Sequence, residues 1–226
     1  MRKQFRQEMA TLTDTLRMEA RAAAKAMENA AASLKDANLL LAEKVIDADA
    51  SIDLLERNID EQGISLLARQ APVASDLRVV ISALRLSTTL ERMGDLARHV
   101  AYVARGRYPQ IVTSGEVYDL IVEMAEKATE VGYSVVKLLE TQDLAIADVL
   151  LEDDDVLDDL HRRSFEYVLN EDSEMTRQEV VDTVLLCRYL ERFGDHGVSV
   201  AHRVRFLVTG MMSEDDEFDD APGVEI

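Results

Sequence analysis

Four acid-x-x-x-Asp pairs stand at matching places in two related stretches of the chain: Asp49 with Asp53, Glu91 with Asp95, Asp154 with Asp158, and Glu191 with Asp195. On a helix, residues four apart lie one above the other on the same face. Stacked carboxylates repel by a few tenths of a kcal/mol per pair, and a cation relieves that repulsion. Ligation by oxygen alone selects Mg²⁺, Mn²⁺, Ca²⁺ or iron over a thiolate-type zinc site. The competing reading is a solvated acidic face, partly neutralised by Arg92, Arg98 and Arg192.

Other chemistries find little to work with. A di-iron oxidative bundle needs Glu-x-x-His on each of two helices; no Glu here has His three residues later, and Asp158 with His161 is the one Asp-x-x-His. The chain has no G-x-x-x-x-G-K phosphate loop and no G-x-S-x-G elbow. His99, His196 and His202 do not recur at equivalent places and read as surface or flanking residues. Cys187 lies in an apolar helical pattern and reads as a small buried thiol.

The acid pairs belong to a duplication. "LERMGDLARHVA" from position 90 and "LERFGDHGVSVA" from position 190 agree at seven of twelve places. Residues 34–55 align without gaps on 139–160, a shift of 105, whereas the LER segments shift by 100. Copy two is therefore five residues shorter between the blocks, and the difference is expected in the loop near "RQAPVASD" and "LNEDSEMTRQ".

Helices must carry these pairs. Ala, Leu, Glu, Arg and Met dominate the composition and are strong helix formers; aromatics make up 5% and Pro occurs three times. Pro72 suits a helix's first turn, and Thr113 with Glu116 and Thr176 with Glu179 read as capping boxes. Helices are predicted at about 3–35, 38–68, 72–106, 114–141, 143–170 and 177–209, joined by short turns. The expected fold is all-α, two tandem pseudo-symmetric three-helix bundles over 1–110 and 111–210, followed by an acidic tail over 211–226 that does not fold. Leu86, Leu90, Met93, Ala97 and Val100 form a core stripe at spacings of four and three, repeated by Leu186, Leu190, Phe193, Gly197 and Val200. Gly94 and Gly194 lie between that stripe and the acid face. A glycine inside a helix costs roughly 0.5–1 kcal/mol relative to Ala, so the recurrence is read as clearing space beside the carboxylates.

The formal charge of −19 and pI near 4.5 set the surface against nucleic acid and anionic lipid. "MRKQFRQEMA" has no apolar run behind it, and no apolar stretch approaches bilayer length. A cytoplasmic protein without membrane insertion is expected.

With the doubled LER-x-GD segment, "APVASDLR" at 71–78 and the tandem layout in hand, the chain from 1 to about 209 resembles the PhoU family of phosphate-transport regulators. The resemblance implies a non-enzymatic, often homodimeric protein. Its carboxylate motifs would bind divalent or trivalent metal ions through oxygen (Fe, Mn, Mg or Zn). By motif the ligands are Asp49, Asp53, Glu91 and Asp95 in the first bundle and Asp154, Asp158, Glu191 and Asp195 in the second. It also implies contacts with the ATPase of the phosphate ABC transporter (Pst) and with a phosphate-sensing histidine kinase, restraining uptake and the starvation response. Copy two has "EMTRQEVVD" in place of "APVASDLR", so a role of Arg78 need not be shared by both halves. A metal-free helical scaffold acting by contact alone is the alternative.

Overall fold

The computed structural model describes residues 2–211. The acidic tail expected to be unfolded lies, but for Met211, outside the described residues. Six helices account for the rest: α1 (Arg2–Lys35), α2 (Leu39–Gln70), α3 (Ala74–Arg107), α4 (Gly115–Thr141), α5 (Leu144–Val168) and α6 (Arg177–Thr209). There is no strand among the described residues. At 1.5 Å per residue these helices are roughly 40–50 Å long.

Short connections force neighbours to run antiparallel, and α1, α2 and α3 pack on one another as do α4, α5 and α6. The two bundles also pack together, α1 along α4 and α3 along α6, so their apolar stripes merge into one continuous core. Both predicted stripes are buried within it, from Leu86 to Val100 on α3 and from Leu186 to Val200 on α6. Small residues permit the close contact of α1 with α4: a Cβ on Gly132 would lie 3.2 Å from the Ala24 backbone, tighter than an ordinary contact.

Arginines of α3 tie the bundles together at both ends. At the start of α6, Asp182 is buried and receives two guanidinium N–H bonds from Arg107 at the end of α3. At the far end the half-buried Arg78 lies over the Phe206 ring, 5.7 Å from its centroid, and reaches the Phe206 carbonyl at 3.5 Å. It thereby places a cation at the C-terminus of α6, where unpaired carbonyls concentrate negative charge. Arg78 thus links the halves of the molecule.

The local signals divide. Thr176 and Glu179 form the predicted capping box on α6. Thr113 does not cap α4; Ser114 is the N-cap, and Thr113 is buried. Pro72 lies outside the first turn of α3, in the connection between a left-handed Ala71 and the N-cap Val73. The five-residue deficit of copy two is not a loop deletion. Residues 169–176 form a longer connection than 71–73, and the chain is shorter because α5 and α6 are both truncated there relative to α2 and α3.

Candidate metal centre

In the first bundle α2 supplies Asp49 and Asp53, and α3 supplies Glu91 and Asp95. The four share one patch, since Asp95, Asp53 and Asp49 all bear on Glu91. Burial, reinforced by these neighbours and by Glu56, raises the Glu91 carboxyl to about 7. Asp49 is the most enclosed of the four, and burial raises it in spite of a guanidinium beside it. That guanidinium is Arg98. It bonds Asp49 Oδ2 across the helix interface and Asp95 Oδ1 at 2.6 Å on its own helix.

The second bundle has the same frame and a different filling. Asp154 and Asp158 come from α5, Glu191 and Asp195 from α6. Asp158, Glu191 and Asp195 each bring one carboxylate oxygen within 4.8 Å of the other two. Asp154 stands behind them with Oδ1 buried and without a hydrogen-bond partner. Burial first, then Asp195, Asp158 and Glu191, raises its carboxyl to about 8. Glu191 is only 8% exposed, and burial and Asp195 raise it to about 7. Arg188 pairs with its Oε1, while Oε2 is buried without a partner. These oxygens fit a hard cation: the donor set is all oxygen, and Glu191 Oε2 within it and Asp154 Oδ1 behind it are buried without a hydrogen-bond partner.

The repeated glycines do a different job from the one expected. A Cβ on Gly94 would lie 2.8 Å from Ile52 Cδ1, and one on Gly194 would lie 2.5 Å from Asp154 Oδ1 and 2.7 Å from Leu157 Cδ1. The space they clear is filled by the facing helix. Glycine lets α2 approach α3, and α5 approach α6, until acids on both helices share a patch.

Three residues around the patches escaped the sequence reading, and a fourth, His161, entered it only as half of an Asp-x-x-His. Glu56 extends the α2 acid face, three residues beyond Asp53, and contributes to the shift of Glu91. His161 holds the equivalent place in copy two under the 105-residue shift; its Nδ1 lies 3.8 Å from Glu191 Oε1, and burial lowers its pKa. Arg188, rather than Arg192, makes the direct pair with Glu191. Glu19 on α1 is fully buried, accepts a 2.7 Å bond from Ser87 Oγ, and leaves Oε1 without a partner. The spacings of Glu56 and His161 were signals available in the sequence; Glu19 gave none, for its counterpart on α4 is the apolar Met124.

An all-α protein of two fused three-helix bundles, each with a carboxylate patch where its second and third helices meet, is the class this architecture defines. Comparison with known proteins makes it specific. The PhoU domain family model matches residues 16–104 and again 121–204, and the chain belongs to the PhoU family. The phosphate-specific transport system accessory protein PhoU homolog 2 of Mycobacterium tuberculosis is 40% identical over 210 residues, covering 93% of this chain and 99% of that protein. PhoU homolog 1 of Mycobacterium leprae is 38% identical over 216 residues, covering 96% and 97%. The crystal structure of PhoU from Pseudomonas aeruginosa superposes with a TM-score of 0.82 at 28% identity, over 92% of this chain and all of that one. These relatives are named as accessory proteins of phosphate transport, and no helix among the described residues is long and apolar enough to cross a membrane.

Proposed function

We propose that this chain is a non-enzymatic, cytoplasmic negative regulator of phosphate uptake. It would act as an adaptor between the ATPase of a phosphate ABC transporter and a phosphate-sensing histidine kinase. The observation that carries the proposal is similarity, over more than nine-tenths of both chains, to proteins named as phosphate-transport accessories. An adaptor needs rigid surfaces rather than reacting groups, and six long helices on one shared core supply them.

The second bundle is the proposed metal centre, with Asp158, Glu191 and Asp195 as ligands and Asp154 behind them. A bound ion would add positive charge beside that of Arg188. The residues themselves already fix the geometry: Gly194 seats α5 against α6, and Arg188 holds Glu191 from the rim. The Arg188 pair also favours the second reading, a metal-free scaffold that keeps its acids tolerable by protonation and by arginine. Metal content separates the two.

The regulatory proposal is tested by replacing a host's own PhoU with this chain and following a phosphate-starvation reporter and phosphate uptake. Repression in high phosphate is expected to return. A strain that stays derepressed, with the protein expressed and folded, sinks the proposal. Homodimerisation is tested alongside by light scattering.

A further inference from the structure

We infer that Arg98 is a built-in counter-ion that takes the place of a metal in the first bundle, leaving the second bundle as the one metal centre. The inference rests on the metal reading of Asp158, Glu191 and Asp195 and extends it by stating what excludes an ion from the twin patch. The duplication supplies the comparison. Asp49 corresponds to Asp154, Glu91 to Glu191 and Asp95 to Asp195, but Arg98 corresponds to Val198.

In the first bundle one guanidinium joins α2 to α3, with Nη1 on Asp49, the counterpart of Asp154, and Nη2 on Asp95, the counterpart of the ligand Asp195. A guanidinium is always charged, and its planar fork matches carboxylates. Arg98 is also enclosed, its side chain 26% exposed and its Nε buried. A cation entering the patch would have to displace it or sit against its charge.

Val198 carries no charge, and the consequences appear across the interface. Oδ1 of Asp154, which corresponds to the aspartate that Arg98 neutralises, is buried without a partner. Three acids converge to 4.8 Å there, and no other such group of metal-binding side chains occurs among the described residues. Arg188 is no substitute for Arg98. It sits three residues from Glu191 on the same helix, its side chain is 42% exposed, and it touches no aspartate of α5 in the contacts that define the patch.

The test is manganese content by elemental mass spectrometry, after incubation with Mn²⁺ and desalting, for the full chain and its variants. Arg98→Val is expected to bind about twice as much Mn²⁺ as the wild type, and an unchanged content overturns the inference. Removing Arg98 strands Asp49, so a second variant keeps the test decisive if the first unfolds: Asp53→Asn/Glu91→Gln leaves Arg98 in place. It is expected to retain the full wild-type content, and a fall overturns the inference. A wild type that binds no Mn²⁺ while Arg98→Val acquires it defeats the metal reading of the second bundle but supports Arg98 as the excluding residue. No metal in any form overturns both.

Discussion

Gly194 and Asp154 occupy the same space in the sense that only a hydrogen on one leaves room for the carboxyl of the other: a Cβ at 194 would stand 2.5 Å from Asp154 Oδ1. The contact fixes how closely α5 and α6 approach. Gly194→Ala gains roughly 0.5–1 kcal/mol of helix propensity, yet must push aside both Asp154 and Leu157. We expect a net loss of about 1–3 kcal/mol in urea unfolding, the usual cost of overpacking. Gly94→Ala should also destabilise, because its Cβ meets the buried Ile52 at 2.8 Å. A Gly194→Ala protein as stable as the wild type contradicts this reading of the repeated glycine.

Glu19 makes stability depend on pH. Burial raises its carboxyl from 4.5 to about 8, against the opposing bond from Ser87. The folded chain therefore holds a proton that the unfolded chain has released. This contribution is fully present below about pH 4.5, is lost as pH rises toward 8, and is flat above. Glu19→Gln keeps the shape without the titration. The fall in melting temperature between pH 5 and pH 8 should be smaller in the variant by several degrees, on the scale of about 2–4 °C per kcal/mol. Identical pH profiles would show that Glu19 does not hold the proton.

Metal removal gives a third expectation. A ligand at a hundred times its Kd stabilises the folded state by about 2.7 kcal/mol. Mn²⁺ should raise the melting temperature of the wild type, and a chelator should reverse the rise. Asp158→Asn/Asp195→Asn should not respond. If that double variant gains as much as the wild type, the ligands lie elsewhere.

Arg107 and Asp182 bind the bundles to one another. Asp182 is 3% exposed, and Arg107→Met would leave its carboxylate with Gln178 as the remaining side-chain donor. Because Arg107 is one-third exposed, the expected loss is about 1–3 kcal/mol, below that for a wholly buried pair. A coupling energy near zero in the cycle with Asp182→Asn would reduce the pair to a bystander.

Much of this molecule is legible in one dimension. Apolar spacings of three and four located the stripes from Leu86 to Val100 and from Leu186 to Val200, and the predicted helices end within a few residues of the observed ones. Those signals are local, since a helix's hydrogen bonds and apolar face are set by neighbours within one or two turns. The acid pairs were legible for the same reason: four residues apart means one face. The partner chosen across an interface was not. Arg98 was counted among three arginines near the acids, yet it alone reaches Asp49 on another helix. Thr113 offered a local cap, yet Ser114 stands at the N-cap and Thr113 is buried. Glu19 looked like one acid among many until three helices closed over it. Sequence determined the helices, their duplication and the faces bearing charge, because each depends on separation along the chain. Tertiary structure decided which charges are neutralised and which stay buried and unpaired, because that depends on distances between helices.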